Sequence, residues 1–125
     1  MNYEQMSDED INTEVLRVLY GDVVDYWSLS NCGTYLYDCG PVGDAFYKIE
    51  LKDYCNNPAH AWSVIFENNI SILSPSNVTD EWFAGYGREQ IEYEADFYPI
   101  EVWAENPLRA AMIVFLMMNG DNDDL

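Results

Sequence analysis

The fold is decided by the stretch Asn106-Pro107-Leu108-Arg109-Ala110-Ala111-Met112-Ile113-Val114-Phe115-Leu116-Met117-Met118. Asparagine is a favourable N-cap, and proline is tolerated at the first helical position because the N–H that it lacks would have no partner there. The stretch therefore predicts a helix that begins at Pro107 and runs to Asn119-Gly120. Its residues are apolar on nearly every side, so this helix has to be buried on most of its faces.

Two further helices are predicted earlier in the chain. Asn57-Pro58 repeats the start of the C-terminal helix and begins a second one, which Asn68-Asn69 can end. Near the N-terminus, Ser7 is placed to cap a helix with three acidic residues in its first turn, and Gly21 is placed to end it. Apolar residues recur at helical spacing over Ile11–Leu19. This helix is therefore amphipathic, with one apolar face and one strongly anionic face.

Between the helices the sequence predicts short strands. They are Thr34–Tyr37 and Ala45–Leu51, which can form a β-hairpin, then Ile70–Leu73, Glu81–Tyr86, Ile91–Phe97 and Ile100–Ala104. The predicted fold class is α+β: a small, mostly antiparallel sheet packed with two or three helices, including the buried C-terminal helix. We assign residues 1–120 to a single acidic domain and residues 121–125 to an acidic flexible tail.

The charge balance is the most unusual property of the chain. Of its 125 residues 49% are hydrophobic, and 23 Asp and Glu against five Lys and Arg leave a formal net charge of −18. This apolar content excludes an acidic chain that is disordered along its whole length. The charge repels nucleic acid and anionic membranes, so we expect direct binding to neither, and it attracts proteins with basic surfaces. Met1–Asp10 does not resemble a signal peptide, and the longest apolar run, Ala110–Met118, is about half of what a bilayer requires.

Two groups of acidic residues are candidates for a partner-binding surface, one on the N-terminal helix and one around the predicted strand Ile91–Phe97. Their members are Asp8, Glu9, Asp10, Glu14, Glu89, Glu92, Glu94 and Asp96. Side chains on one face of a strand are about 6.6 Å apart, whereas phosphates along one DNA strand advance about 3.4 Å each. One strand face therefore imitates every second phosphate, and two adjacent rows would approximate a duplex outline. A merely solvated face is the alternative.

Aromatic side chains are the second kind of candidate contact. Tyrosine and tryptophan dominate the binding energy of many protein interfaces when they are exposed in the free protein and buried in the complex. The candidates are Tyr35, Tyr37, Trp82 and Tyr86.

Cysteine and histidine give little indication of chemistry. The chain has Cys32, Cys39, Cys55 and a single histidine, His60. They lack the closely spaced cysteine pair of most zinc sites, so we expect free thiols, no metal and no cofactor. Cys55 and His60 could form a nucleophile pair at a helix start, but no third orienting group can be named. We therefore expect a binding protein and no enzyme, with a small enzyme as a further alternative.

Two segments of the chain are distinctive together. The first is Cys55-Asn56-Asn57-Pro58-Ala59-His60-Ala61-Trp62, followed by Ile65-x-Glu67-Asn68-x-Ile70-Ser71, and the second is the stretch 106–118. They resemble the NinX-type family of small proteins from lambdoid bacteriophages and their prophages. The resemblance implies a phage-encoded accessory protein in the cytoplasm of the bacterial host, with no activity to carry over to individual residues. The region 22–54 and the acidic excess do not obviously belong to the pattern.

The leading hypothesis is an acidic phage protein that binds and inhibits or modulates a host protein. The favoured target is a nucleic-acid-binding or defence factor, engaged by an anionic surface that mimics DNA. The alternative is a structural or adaptor protein, or a homodimer, that binds through an apolar aromatic interface in the segment Tyr35–Tyr47 or Trp82–Tyr86. In that case the acidity would serve solubility only.

Overall fold

Four α-helices and six short strands make up residues 2–38, 47–89 and 97–120, which are the residues that the structure, a computed structural model, describes. The helices are α1 (Asp8–Tyr20), α2 (Val23–Tyr26), α3 (Pro58–Glu67) and α4 (Pro107–Asn119), and a 3-10 turn, Tyr3–Gln5, precedes α1. The strands are β1 (Ser28–Leu29), β2 (Tyr35–Asp38), β3 (Tyr47–Glu50), β4 (Ser71–Leu73), β5 (Trp82–Tyr86) and β6 (Ile100–Ala104). No helix in the described ranges is long and apolar enough to cross a membrane.

The three predicted helices begin at their predicted caps. Asn106 Oδ1 accepts hydrogen bonds from two N–H groups in the first turn of α4, at 2.9 Å and 3.3 Å. Asn57 Oδ1 accepts from the Ala59 N–H at 3.0 Å, and Ser7 Oγ accepts from the Asp10 N–H at 3.0 Å. Each bond satisfies a backbone donor that the helix itself leaves without a partner. The short helix α2 is an addition that the sequence did not predict.

The strands form two antiparallel sheets of three strands each, in the orders β1-β2-β3 and β4-β5-β6. The predicted α+β class is confirmed, and the antiparallel strands that the sequence indicated are divided between two small sheets. The helix α3 follows β3 and precedes β4 in the chain, so each half of the chain pairs its own strands locally. Periodicity identifies a strand without identifying its neighbours, which is why the division was missed.

The bounds of β2 to β5 differ from prediction by one or two residues, and those of β6 agree with it. The hairpin of β2 and β3 is present, with Leu36 opposite Ile49. The strand β1 was missed because two residues are too few to show a period. The predicted strand Ile91–Phe97 lies outside the described residues except for Phe97, which pairs with Glu89 in an isolated bridge. The predicted tail, residues 121–125, also lies outside them.

The helix α4 forms the centre of the hydrophobic core. Its residues Ala110 to Leu116 are all buried, which confirms the prediction of a buried C-terminal helix. It packs against β5 and β6 and also against α1 and α3. Leu36 and Ile49 of the first sheet belong to the same core, so one core serves both sheets.

Candidate functional site

The acidic face of α1 is partly occupied by contacts within the chain. Asp8 Oδ1 accepts a hydrogen bond from Arg109 Nη1 in α4 at 2.8 Å, and its Oδ2 accepts one from Asn56 Nδ2 at 3.1 Å. The Arg109 side chain is only 17% exposed, so this ion pair is partly shielded from solvent. Asp8 therefore has a structural role, although its half-exposed carboxylate still adds negative charge to the surface.

Glu14, at the other end of the predicted row, also pairs with an arginine. Arg17 donates hydrogen bonds to Glu14 and, at 2.7 Å, to Asp25 of α2. The two bonds raise the pKa of the Arg17 guanidinium, the one to Asp25 most, and the bond from Arg17 lowers the pKa of the Asp25 carboxyl. The group holds α2 against α1, and it reduces the free negative charge of the row to Glu9 and Asp10, both of which are exposed.

The second acidic group is only partly described. Glu89 is exposed, and its backbone N–H and C=O pair with Phe97 at 2.6 Å and 2.8 Å. Glu92, Glu94 and Asp96 lie outside the described residues. The proximity of the two acidic groups to each other thus remains a prediction. None of the acidic side chains in the described ranges is buried, so the negative charge of this part of the chain is at its surface.

Three of the four predicted aromatic candidates are half-buried, and the fourth is exposed. Tyr35 and Tyr37 of β2 are half-buried, and their ring centres lie 6.0 Å apart in an edge-to-face arrangement. Lys48 Nζ lies 5.3 Å from the Tyr35 ring centre. Trp82 is half-buried and Tyr86 is 36% exposed. Both are on the face of β5 that carries Ala84, which is part of the core.

A more exposed aromatic pair lies on α3 and was missed in the sequence. Trp62 and Phe66 are 62% and 67% exposed. Their ring centres lie 5.8 Å apart, and the angle between the ring planes is 30°. The sequence places both on the second predicted helix without indicating which side of it is buried. In the structure Ala61, Val64 and Ile65 form the buried face of α3. Trp62 and Phe66 each follow a buried residue by one position, so they point away from that face by about 100°. No signal in the sequence separates the two sets, because all five residues are apolar.

Trp62 and Phe66 border a groove of about 500 Å³ between α3 and β4. We call it the α3–β4 groove. On the helix side it is lined by the aromatic pair and Ile65, and on the strand side by residues that include Ser71 and Ile72. None of its lining residues is charged.

A polar junction formed by Arg109 and Asn106 joins the start of α4 to the N-terminal turn, to α1 and to the loop before α3. Arg109 Nη2 donates to the carbonyl oxygens of Tyr3 at 3.0 Å and Met6 at 2.6 Å, and Asn106 Nδ2 donates to the Cys55 carbonyl at 2.7 Å. Further bonds within the junction join asparagine and aspartate side chains, namely Asn12 to Asp53, Asn56 to Asp53 and Asn106 to Asn56. The junction fixes the start of α4 to the start of α1 and to the loop before α3.

The junction does not contain the nucleophile pair considered in the sequence. Cys55 is buried, and desolvation raises the pKa of its thiol to about 12, so it is protonated at neutral pH. His60 Nδ1 instead accepts a hydrogen bond from the Asp53 N–H at 3.0 Å. Within the described ranges, no cluster of three or more His, Cys, Asp and Glu side chains could hold a metal ion.

Comparison with known proteins identifies the family. A family model described as Bacteriophage P22, NinX matches residues 2–119. The chain belongs to the NinX family. The match extends well beyond the two segments in which the resemblance was noticed, so the region 22–54, with α2 and the first sheet, is also part of the NinX domain. No curated protein matches the chain.

The fold of this NinX-family chain also occurs in a solved phage protein. The crystal structure of a phage protein from Bacillus cereus ATCC 14579 is similar with a TM-score of 0.52 and 16% sequence identity, over 89% of this chain and 90% of that chain. At this identity the likeness shows a shared fold. The two segments of the resemblance supply the polar junction: Asn56 and Cys55 come from the first, and Asn106 and Arg109 from the second.

A different cysteine of the NinX domain is exposed and activated. Cys32 lies in the turn before β2, where its Sγ is 2.9 Å from Thr34 Oγ1 and 3.5 Å from Ser30 Oγ. Both hydroxyls can donate to a thiolate, and these bonds, the one from Thr34 most, lower the pKa of Cys32 to about 7. A thiol with this pKa is substantially deprotonated at neutral pH.

We expect thiol labelling to distinguish the two described cysteines. In a Cys39→Ser background, the Cys32 thiol of the native protein should react with iodoacetamide. The rate should rise with pH and be half-maximal near pH 7. The second, Cys55, should react only after unfolding, because its thiol is buried. Thr34→Val should move the half-maximal rate to higher pH. Two thiols that react equally fast in the native protein would contradict this assignment.

Proposed function

We propose that this NinX-family phage protein binds and inhibits or modulates a host protein with a basic surface, in the cytoplasm of the bacterial host. The observation that carries the proposal is the surface charge. The chain has a net charge of −18, and the carboxylates in the described ranges are exposed or half-buried. Arg17 and Arg109, in contrast, form ion pairs within the chain. Such a surface attracts basic partners over long range and repels nucleic acid.

A nucleic-acid-binding or defence factor is the favoured target, because its binding groove carries the complementary charge. A DNA-mimicking surface is the narrower form of this proposal. On α1 it would rest on Glu9 and Asp10, with Asp8 and Glu14 contributing only part of their charge. The remaining contributors would be Glu89 and its neighbours in sequence.

Affinity capture from a bacterial lysate tests the proposal. The immobilised protein is expected to retain basic, nucleic-acid-binding host proteins at 0.1 M salt and to release them at 1 M, since the Debye length falls from about 10 Å to about 3 Å. Added duplex DNA should compete if the partner binds through its DNA site. Recovered proteins that are acidic, or retention that does not change with salt, would contradict the proposal.

Neutralising variants locate the interaction on the surface. Glu9→Gln with Asp10→Asn is expected to weaken binding of the recovered partner about tenfold at 0.1 M salt. The matched control is Glu50→Gln with Asp80→Asn, which removes the same charge from two other exposed positions. Equal weakening by the two double variants would mean that net charge alone, without a defined acidic surface on α1, accounts for binding.

A structural or adaptor role through an apolar interface is the second candidate, and the exposure of Trp62 and Phe66 favours it. In this role the acidity serves solubility, and the partner is an apolar host surface or a second copy of the chain. The molar mass in solution separates the candidates. A dimer that persists from 0.1 M to 1 M salt would favour the apolar interface.

A further inference from the structure

The α3–β4 groove has the geometry of a site that accepts an extended peptide. Within the described part of the chain, β4 is an outer strand whose only strand neighbour is β5. In an antiparallel ladder, successive residues direct their N–H and C=O groups alternately to the two sides, so at least one of Ser71, Ile72 and Leu73 directs its pair away from β5. The aromatic pair of α3 borders the same groove as Ser71 and Ile72 of this strand.

We infer that the α3–β4 groove binds an extended segment of the partner protein, rich in alternating apolar and basic residues, which pairs with β4 as an additional strand. This inference rests on the proposed function, since it names the surface and the type of partner segment. Main-chain hydrogen bonds to β4 hold the segment. Its apolar side chains lie against Trp62 and Phe66, and alternate side chains face away from the helix.

Charge determines the composition of the segment. The groove lining is uncharged, the helix α3 contains no lysine or arginine, and residues 68–79 contain no charged residue at all. Glu67, next to Phe66, is exposed at the rim. An apolar face of the partner segment suits the uncharged groove. Basic residues beside that face are attracted by Glu67 and by the net charge of −18. A second copy of this chain would bring another −18 to the same place, so it is the less favourable occupant.

The length of β4 limits the strength of the interaction. Three strand residues span about 10 Å, so few main-chain hydrogen bonds form and the aromatic contacts have to supply much of the affinity. The affinity for a short peptide should therefore lie in the micromolar range. Loss of one aromatic ring should weaken binding about tenfold or more, as for other aromatic anchors at interfaces.

A fluorescein-labelled heptapeptide of alternating lysine and valine is the probe, and its binding is measured by fluorescence anisotropy at 0.15 M salt. We expect Trp62→Ala and Phe66→Ala each to weaken binding about tenfold or more. The matched control is Tyr26→Ala, which removes an aromatic ring that is 80% exposed on α2, outside the groove. It should leave binding unchanged. Thermal unfolding of each variant shows that the fold is kept.

Two modified peptides separate strand pairing from attraction of charge alone. A heptapeptide methylated on alternate backbone nitrogens keeps its charge and side chains but loses hydrogen-bond donors, and it should bind at least tenfold more weakly. A heptapeptide of alternating glutamate and valine should not bind. Equal affinity of the methylated and unmethylated peptides, or of the native protein and both groove variants, would overturn the inference.

The two proposals fail in distinguishable ways. If a lysate partner binds in a salt-sensitive manner and the variant Trp62→Ala with Phe66→Ala retains it fully, the groove inference is wrong and the proposed function stands. If the heptapeptide binds in the groove but no basic host protein is recovered, the proposed function is wrong. A salt-independent dimer of the native protein that the double variant abolishes would make a second copy the occupant and overturn the inference.

Discussion

Replacing Arg109 with methionine is expected to lower the free energy of unfolding by about 3 kcal/mol, measured by urea denaturation at neutral pH. The guanidinium donates to the carbonyl oxygens of Tyr3 and Met6 and to the Asp8 carboxylate, at 2.6–3.0 Å. Methionine keeps much of the aliphatic packing but none of these donors. The half-buried carbonyl groups would then lack their charged partner, at a cost of about 1–3 kcal/mol for each unsatisfied buried group.

A local readout accompanies the loss of stability. Arg109 is the side chain that ties the segment from Tyr3 to Met6 to α4, so Arg109→Met should increase hydrogen exchange in residues 3–6 more than in the centre of α4. Arg109→Lys should recover only part of the stability, because a lysine ammonium cannot span the same carbonyl groups with a planar fork of donors.

Arg17→Met is the matched control for this prediction. Arg17 pairs with two carboxylates, but its side chain is 32% exposed, against 17% for Arg109, and it donates to no backbone carbonyl among the bonds described here. Solvent screens such pairs, so the loss should be a small fraction of that for Arg109→Met. Equal losses for the two variants would mean that the ion pair alone, and not the bonds to the N-terminal backbone, determines the effect.

The sequence predicted the helices well because their signals are local. A cap, a proline at the first position and an apolar run lie within a few residues of each other, and they identified the starts of α1, α3 and α4. The strands β2 to β6 were located to within two residues for the same reason, whereas β1 was missed. Their division into two sheets was missed, because the period of a strand does not show which strands it pairs with.

The candidate site shows the same limit more strongly. The sequence placed Asp8 in an acidic row, but its partner Arg109 is 101 residues away, and no pattern near residue 8 indicates that the charge is already paired. The sequence places Trp62 and Phe66 on the second predicted helix without indicating whether they face the core or the solvent. Which side of a short helix is buried depends on where α4 packs, and that is a tertiary property.

Replacing Asn106 with alanine is the second large effect that we expect, a loss of about 2–3 kcal/mol in the free energy of unfolding. The cap itself accounts for about 1 kcal/mol, since Oδ1 accepts from the Leu108 and Arg109 N–H groups. The rest comes from Nδ2, which donates to the Cys55 carbonyl at 2.7 Å and joins the start of α4 to the loop before α3. Alanine would leave that carbonyl without this donor.

Asn57→Ala is the control, because Asn57 caps α3 with the same Asn-Pro start but its described side-chain bond is only to the Ala59 N–H. Its loss should be close to the cap alone, about 1 kcal/mol. Urea denaturation should therefore give a larger loss for Asn106→Ala than for Asn57→Ala. If Asn106→Ala and Asn57→Ala were equally destabilising, the bond to Cys55 would contribute nothing, and α4 would be held to α3 by apolar packing alone.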